Sequence, residues 1–463
     1  MPLRALFVDF NSYFASVEQQ LQPRLRNKPV AVVPLLVDST CCIATSYEAK
    51  RFGVKTGTPV WQARQLCPGI QFVEARPGTY VTWHHRLIEA VETCVHVTQV
   101  LSIDEMTCEL SGAIAGRERS EKLARHIKAT IARDVGEHLL CSIGIAPNTF
   151  LAKTATELEK PNGLVVIEER DLPHCLHVLK LRDLCGVGSR MHKRLQNHGI
   201  FSVEELCAAR RETLRMVWGG IEGERMFLQL KGEEVWRPVT KRSSLGHSHV
   251  LPPCERTEEG ARAVLSRLLQ KAAMRLRKIA HAARGLQIFV RHIGEKSWSA
   301  HTTFKESDDT LFFIEVFCFL WAKRGFEYSN SQHPALQSST CSAIVPLVVG
   351  VNLFHIKPIE GCTFSLFEQD EEHRKLNQSV DELNEVFGKN AVYLGGAHGA
   401  LHAAPDKIAF NRIPAIDARD DALQHALEED KARIQTQPVF AHEKPAFTKK
   451  TSEKRTPCAR LFW

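Results

Sequence analysis

Apolar runs and helical patterns alternate over the first 165 residues of the chain. Four stretches have the short apolar or alternating pattern of buried strands and hairpins: residues 4–10, 28–33, 100–110 and 139–145. Helical periodicity lies between them, at residues 11–24, 82–98, 119–134 and 148–158. Because strands and helices interleave, we predict an α/β or α+β domain here.

The pattern changes in the rest of the chain. Residues 166–236 are mainly helical, and residues 257–280 form a basic helix with one apolar face. A mixture of helix and strand up to about residue 355 predicts a small α+β domain. Residues 356–400 suggest a short appendage, and the polar, charged composition from about residue 415 predicts disorder.

Length and composition fit a multidomain protein that buries ordinary cores. The chain has 463 residues, enough for roughly three or four domains, and a hydrophobic fraction of 44%. No apolar run approaches the length of a membrane span, and the N-terminal apolar stretch is too short for a signal peptide. The 14 cysteines include no Cys-x-x-Cys pair, which argues against a zinc site or a redox pair. We expect a cytoplasmic protein with reduced cysteines and no membrane contact.

The basic charge is concentrated in one segment. The chain carries a net charge of +7, and residues 241–300 alone hold 12 Lys and Arg against 4 Glu and no Asp. Such a segment is typical of a protein that binds a polyanion such as nucleic acid. A solvated helix face would have the same composition, and charge alone does not decide between them.

Three acidic residues lie in apolar surroundings. Asp9 ends an apolar strand, and Asp104 and Glu105 are adjacent in the alternating hairpin segment. Burying unpaired carboxylates is costly, and bound Mg²⁺, which prefers oxygen ligands, would remove that cost. Taken alone, an acid pair on the surface of a hairpin is the simpler interpretation.

Several short motifs change this interpretation because they occur together and in order. The motifs are Asn11–Glu18, Tyr47–Val54, Ser102–Glu105, Ser142–Asn148 with Leu151–Lys153, and Lys160–Gly163. The ordered set resembles the Y family of lesion-bypass DNA polymerases, of the bacterial DinB and UmuC type. The resemblance is clear over residues 4 to about 240 and extends in outline to about 355.

The resemblance implies a multidomain α+β fold, the right-hand polymerase. Residues 1–165 would form a palm, a β-sheet with helices, and small fingers at about 20–76. Residues 166–238 would form a helical thumb with a helix-hairpin-helix, and residues 243–355 an α+β little finger. Residues 356–463 would be the C-terminal appendage and disordered tail.

The resemblance also implies site residues. Asp9, Asp104 and Glu105 match the catalytic, metal-binding carboxylates, and the backbone carbonyl of Phe10 matches a further metal ligand. Two Mg²⁺ ions would serve as cofactors. In such a site, ions about 3.5–4 Å apart stabilise the attacking and leaving oxygens of phosphoryl transfer.

The nucleotide contacts follow from the same motifs. Phe14 matches the steric gate, whose ring would clash with a ribose 2′-OH, and the amides around Tyr13 and Phe14 would face the triphosphate. Tyr47, Lys50 and Lys160 match triphosphate contacts, as suits the charge on a transferring phosphoryl group.

The sequence departs from the family pattern at three places. Lys50-Arg51 reverses the commoner order, so which cation reaches the phosphates stays open. Asn11 stands where many members have Asp, and Thr149 replaces a frequent Lys, which would weaken one contact to DNA or nucleotide.

Two segments point to sequence-independent DNA contacts. Leu184–Arg190 resembles a helix-hairpin-helix, in which the backbone at Gly186 and Gly188, with Arg190, would approach phosphates. The alternative is an ordinary glycine turn. The basic helix at 257–280 falls where the family has its little finger, whose phosphate contacts would be sensitive to salt.

Residues 363–367 resemble a peptide that binds the sliding clamp. Leu366 and Phe367 would enter an apolar pocket, although Thr363 stands where a Gln is usual. A strand packed on the little finger is an equally good interpretation. The C-terminal tip at 460–463 is a second candidate.

The resulting hypothesis is low-fidelity synthesis of DNA past lesions, without a separate proofreading domain. Its partners would be primer-template DNA, a dNTP, a sliding clamp and accessory repair proteins. A catalytically silent scaffold that binds DNA, clamp and another polymerase is the alternative, but such relatives lack the acids. A palm-type cyclase is a third reading, disfavoured by the helix-hairpin-helix and the basic C-terminal domain.

Overall fold

The protein divides into two compact units, each with its own core. The computed structural model describes residues 2–236, 241–294, 296–330, 345–362, 368–387 and 391–401. Residues 2–236 lie in the first unit, and the described residues from 241 onward lie in the second. Among the helices of these residues, none combines the length and the apolar character that a membrane crossing requires.

A five-stranded sheet forms the centre of the first unit, in the order β5-β6-β1-β7-β8. Its strands are β1 (Ala5–Phe10), β5 (Gln99–Ser102), β6 (Glu105–Glu109), β7 (Cys141–Ala146) and β8 (Leu164–Val166). β1 pairs antiparallel with both β6 and β7, and all six of its residues are buried. Burial on both faces explains why β1 is a continuous apolar run that only Asp9 interrupts.

Helices cover both faces of this sheet. Four helices of the unit belong with this sheet: α1 (Tyr13–Leu21), α4 (Pro77–Glu92), α5 (Arg117–Asp134) and α6 (Thr149–Leu158). Helices α4 and α5 pack with the side chains of Leu6, Val8 and Phe10, and α6 packs on the opposite face with Ala5 and Phe7. Gly144 permits the close approach of α6, because a Cβ there would lie 2.0 Å from the Ala152 carbonyl oxygen.

A second, smaller sheet stands between β1 and α4 in sequence. It has the order β3-β2-β4, from β2 (Val30–Val33), β3 (Ala44–Thr45) and β4 (Gln71–Glu74). Helices α2 (Tyr47–Arg51) and α3 (Val60–Leu66) complete it, and Val33, Ala49, Val60 and Ala63 share its own small core.

The first unit ends in a helical segment. Its helices are α7 (Ser189–Asn197), α8 (Val203–Ala208), α9 (Arg211–Trp218) and α10 (Ile221–Leu230). Asn148 joins this segment to α6, because its Nδ2 donates to the carbonyl oxygens of Gln229 and Glu233, each at 2.9 Å. The same side chain caps α6 by accepting from the amide of Leu151.

The second unit is a sheet of order β11-β10-β12-β9 with helices packed against it. The strands are β9 (Ser244–Val250), β10 (His281–His292), β11 (Trp298–Ser307), β12 (Pro346–Phe354) and β13 (Lys357–Pro358), which pairs with β10. The helices are α11 (Glu258–Lys278), α12 (Thr310–Asn330) and α13 (Glu368–Val386). Val264, Leu268 and Leu276 of α11 pack with inward residues of the sheet such as Leu286 and Val351.

The periodic segments of the first 165 residues and the helix at 257–280 lie where the sequence predicts them, with shifts of a few residues at their ends. The prediction of a mainly helical segment from 166 is wrong for residues 167–188, which contain only 3-10 turns before the first α-helix begins at Ser189. The largest shift concerns the helix predicted at 82–98, which is α4: it begins five residues earlier, at Pro77, and ends six residues earlier, at Glu92. A proline suits the first turn of a helix, where its missing N–H has no partner to lose. Part of the predicted appendage packs within the second unit, where Arg277 of α11 pairs with Asp381 of α13 at 2.6 Å.

Candidate active site

The carboxylates of Asp9 and Glu105 meet at the end of the central sheet. Asp9 and Glu105 are directly opposite each other in the β1–β6 pair, so their side chains lie on the same face, the one that α6 covers. Asp104 precedes β6 in the tight turn from β5, and its carbonyl oxygen accepts from the Phe10 amide at 2.8 Å. The three acidic residues and the Phe10 backbone therefore lie together at one end of the central strands.

The turn that carries Asp104 is held from two sides. Ser102 Oγ donates to Asp104 Oδ1 at 2.5 Å. The buried His84 of α4 lies with Nδ1 at 2.7 Å from the Ile103 carbonyl oxygen. A carbonyl can only accept, so this ring nitrogen carries the proton. Of these two contacts, only the one from His84 to the Ile103 carbonyl does not involve an acid.

Burial raises the pKa of both aspartates. It raises the pKa of Asp9 to about 6, although the ammonium groups of Lys160 and Lys153 act in the opposite direction. Burial also raises the pKa of Asp104, against the Ser102 hydrogen bond that lowers it. Both carboxyl groups are thus short of positive charge in their own surroundings.

Two lysines supply part of that charge. Lys153 of α6 forms an ion pair with Glu105 and lies 4.0 Å from Asp9 Oδ2, while Lys160 Nζ is 3.0 Å from the same oxygen. Lys160 also contacts Glu157 at 2.7 Å. Burial opposes the charged form of Lys160, but the neighbouring carboxylates outweigh burial and raise its pKa.

The donor set fits a hard divalent cation. Three carboxylates and a backbone carbonyl offer only oxygen atoms, the ligands that Mg²⁺ prefers. Among the described residues, however, no three Asp, Glu, His or Cys side chains are arranged so that they could hold a metal ion, so Asp9, Asp104 and Glu105 lie near one another without forming a ready metal site. Lys153 and Lys160 lie against two of the carboxylates, and burial raises the pKa of Asp9 and of Asp104.

The start of helix α1 stands beside the acids. Ser12 precedes the helix with a left-handed backbone, φ 51°. Lys50 Nζ donates to Ser12 Oγ at 2.7 Å and lies 4.2 Å from the centre of the Tyr47 ring. Arg51 is exposed, so Lys50 is the member of the Lys50-Arg51 pair that reaches this point.

Lys50 and Lys160 influence each other electrostatically. Burial lowers the pKa of Lys50, and the charge of Lys160 lowers it further. Burial raises the pKa of Tyr47, which also interacts with Lys160 and Asp9. The structure thus brings Tyr47, Lys50, Lys160 and the α1 start into one electrostatic neighbourhood with Asp9. A polyanion bound there would offset the repulsion between the lysines.

The ring of Phe14 is fixed by a stack. It lies parallel to the ring of Tyr80 in α4, with ring centroids 4.4 Å apart and an interplanar angle of 15°. The Tyr80 hydroxyl donates to Glu18 Oε1 at 2.8 Å, and the fully buried Glu18 pairs with Arg76 at 2.5 Å. Tyr13 Oη donates to the Tyr80 carbonyl oxygen at 2.6 Å, which ties the helices together once more.

The glycine segment of the predicted helix-hairpin-helix is exposed. Gly186 has φ +85°, and a Cβ on Gly186 or on Gly188 would meet no atom within 4 Å, so the backbone is open to a ligand. Buried Leu184 and Val187 anchor the segment, and α7 begins at Ser189, with Arg190 exposed. The residues before the glycines form one 3-10 turn, Leu181–Asp183, rather than an α-helix.

The basic helix α11 uses part of its charge inside the second unit. Arg267 is buried, and Arg277 donates to Asp381 and to the Asp308 carbonyl oxygen. Arg262 on α11 and Arg291 on β10 are exposed. The candidate clamp-binding residues Leu366 and Phe367, and the tip at 460–463, lie outside the described residues.

Sequence reasoning assigned no role to three residues of the site. Lys153 lies within the motif Leu151–Lys153. Its place on α6, the helix that directly follows β7, is the feature of the sequence that could have indicated a role in the site. Tyr80 and Arg76 gave no signal, because one aromatic and one cation near a helix start occur by chance in many chains.

Comparison with known proteins follows the same division of the chain. Residues 8–157 match the impB/mucB/samB family, and residues 242–336 match the C-terminal domain of that family. DNA polymerase IV of Moorella thermoacetica is 30% identical over 396 residues, which cover 84% of this chain and 94% of the relative. DNA polymerase IV 1 of Bacillus subtilis is 30% identical over 415 residues, with 88% and 95% covered.

A solved structure supports the same relationship. A Y-family DNA polymerase chimera of Dbh and Dpo4 matches with a TM-score of 0.62 and 25% sequence identity, over 77% of this chain and 99% of the chimera. The match extends over nearly the whole of each relative, so it is not confined to the central sheet. The chain belongs to the Y family of DNA-directed DNA polymerases.

Proposed function

We propose that the protein extends a DNA primer opposite damaged template positions. Nucleotidyl transfer would take place at the end of the central strands, where Asp9, Asp104 and Glu105 meet. The observation that carries the proposal is the grouping of these acids with Lys50, Lys160 and the start of α1. Carboxylates suit divalent cations, and the lysines and helix start suit a triphosphate. The grouping supports a nucleotidyl transferase more than a DNA-holding scaffold.

Asp9, Asp104, Glu105 and the Phe10 carbonyl are the groups that would hold two Mg²⁺ ions. When bound, these ions would stabilise negative charge on the attacking and leaving oxygens. Lys160 and Lys50 would bind the triphosphate of the incoming nucleotide, and their mutual repulsion would be relieved by it. The first amides of α1 have no partner within the helix and would add donors to the same phosphates.

Phe14 would select the sugar. Its ring is held in the stack with Tyr80, so it cannot move aside without losing that contact. A ribose 2′-OH would meet the ring, whereas a deoxyribose would not. The protein would accordingly incorporate deoxynucleotides.

DNA would be held without regard to sequence. The open backbone at Gly186 and Gly188, with Arg190, suits phosphate oxygens of the duplex. Exposed cations of the second unit, such as Arg262 and Arg291, would add contacts that weaken with salt. Contacts of this kind suit an enzyme that must accept any template.

A sliding clamp is the proposed protein partner. Residues 363–367 would carry Leu366 and Phe367 into its apolar pocket. The test is the affinity of the Leu366→Ala, Phe367→Ala double variant for the cognate clamp, beside the same change at Leu461 and Phe462. Unchanged affinity of the first variant would assign the contact elsewhere.

Primer extension on two templates tests the proposed activity. One template is undamaged and the other carries a single abasic site ahead of the primer end. We expect extension on both templates with Mg²⁺, past the abasic site on the damaged one, frequent extension from mismatched ends and no 3′→5′ shortening of the primer. High discrimination against mismatches with exonuclease products would contradict low fidelity. Tight DNA binding without extension on either template would favour the scaffold.

A further inference from the structure

The loop that carries Lys160 is held by a lysine on another helix. Lys128 of α5 donates from Nζ to the Asn162 carbonyl oxygen at 2.8 Å, to Asn162 Oδ1 at 2.8 Å and to the Cys141 carbonyl oxygen at 2.7 Å. An ammonium group has three protons, and these three contacts match that number. All three acceptors are uncharged oxygens. The ammonium group of Lys128 thus binds two backbone carbonyl oxygens and one side-chain amide oxygen in these contacts, rather than an acid.

The same loop is held from the opposite side by Asn11. The Asn162 amide donates to Asn11 Oδ1 at 2.7 Å, and Asn11 Nδ2 donates to Ser142 Oγ at 3.1 Å. Ser142 Oγ also accepts from the Gly163 amide at 3.3 Å. Asn11 is 2% exposed and directly follows the end of β1. Asn162 is therefore gripped at its amide by Asn11 and at its carbonyl by Lys128.

The hydrogen bonds of Asn11 and Lys128 to Asn162 limit the positions that the Lys160 side chain can take. Asn162 has φ +60°, a left-handed conformation that a short polar side chain tolerates when it is hydrogen-bonded. Lys160 stands two residues earlier, with its Nζ 3.0 Å from Asp9 Oδ2. Its long side chain has many rotamers, and a fixed backbone reduces how many place the ammonium beside Asp9.

We propose that Lys128 is a positioning residue for nucleotide binding: by holding Asn162, it keeps Lys160 where the triphosphate of the incoming nucleotide arrives. This inference rests on the proposed function, because it takes Lys160 as a triphosphate contact. Asn11 holds the same loop from the other side, through its hydrogen bond with the Asn162 amide. Its amide side chain both donates and accepts here, and a carboxylate at this position would add a fourth acid next to Asp9 and lose the donor.

A double-mutant cycle separates positioning from mere support of the fold. Single-nucleotide insertion is measured for the wild type, Lys128→Met, Lys160→Ala and the double variant, with KM for dNTP and kcat taken separately. We expect Lys128→Met to raise KM about tenfold with kcat within about twofold, since a misplaced contact weakens binding. In the Lys160→Ala background the same change should raise KM less than about twofold, because coupled residues are not additive.

The controls and outcomes are distinct. Lys122→Met, an exposed lysine on the same helix, should leave KM unchanged. If Lys128→Met does not fold, Asn162→Gly takes its place in the cycle, with an expected rise of about threefold. An equal cost of Lys128→Met in both backgrounds, or no cost in either, would overturn the inference. If Lys160→Ala itself leaves KM unchanged, the triphosphate contact of the proposed function fails instead.

Discussion

The ammonium group of Lys153 lies beside the acids, at a position where a bound metal ion would otherwise neutralise their charge. Its ammonium pairs with Glu105 and approaches Asp9, which burial already leaves with a pKa of about 6. A side chain that shares carboxylates with a metal ion has two effects. It stabilises the metal-free protein, and it weakens metal binding.

Lys153→Met should reverse both effects. Without divalent metal, we expect the melting temperature to fall, because the buried Asp9 and the half-buried Glu105 lose a positive neighbour. Mg²⁺ should bind roughly tenfold more tightly, a change of about 1.4 kcal/mol, and should restore stability. Calorimetric titration with Mg²⁺ and melting curves with and without EDTA measure both, with Lys122→Met as the control. Equal Mg²⁺ affinity in variant and wild type would show that Lys153 does not compete with metal.

The ring of Phe14 stacks on the ring of Tyr80, and the ring of Tyr13 lies tilted beside it with its centroid 5.7 Å away. Phe14→Ala should lower the preference for dNTP over the matching rNTP on the order of 100-fold, as expected when a site ceases to exclude a hydroxyl. Tyr80→Leu, which removes the stack but retains the Phe14 ring, should lower it by less. The ratio of kcat/KM values for the two nucleotides gives the result. Phe227→Ala, a half-buried aromatic change on α10, serves as the control and should keep the wild-type ratio.

At the scale of elements, His84 of α4 makes a hydrogen bond to the turn between β5 and β6, beside the apolar packing of the two. His84 is 1% exposed, and burial lowers its pKa to about 4, so it is neutral in the folded protein at pH 7. In the unfolded chain its pKa returns to about 6.5. Between these values the unfolded chain binds more protons, so stability falls as the pH falls.

His84→Gln should remove this part of the pH dependence. A Gln side chain retains an N–H that can donate to the Ile103 carbonyl but does not titrate. Between about pH 7 and pH 5, we expect the wild type to lose roughly 2 kcal/mol more stability than the variant. Chemical denaturation at several pH values tests this without DNA or metal. Parallel pH profiles would mean that His84 is not the group that titrates, and contributions from Asp9 cancel in the comparison.

The elements also show what a linear pattern can predict. The buried strands and amphipathic helices of the first unit could be placed because their periods differ, and β1 and α5 follow their patterns closely. The pairing of Asp9 with Glu105 required the register of two strands, which alternation alone leaves open. Lys128 could not have been found this way, because it reaches Asn162 across 34 positions of sequence.

At the scale of the whole molecule, the ordered motifs identified the family, and the chain's relatives confirm it. The partner residues of the site were harder to predict, because Tyr80, Glu18 and Arg76 meet only after α1 and α4 pack. Asn148 illustrates the limit. Its motif suggested a nearby contact to DNA or nucleotide, whereas its side chain caps α6 and binds the end of α10.

The central claim is that the grouped acids perform nucleotidyl transfer. The most direct test is the rate of single-nucleotide insertion on primed DNA with Mg²⁺ for the wild type, Asp104→Asn and Glu109→Gln. Asn keeps the size of the half-buried Asp104 side chain but removes its charge, and Glu109 is an exposed acid on the same hairpin. We predict insertion by the wild type and Glu109→Gln, and a loss of at least about 1,000-fold in Asp104→Asn with DNA binding retained. Insertion by Asp104→Asn at a rate near that of the wild type would contradict the account.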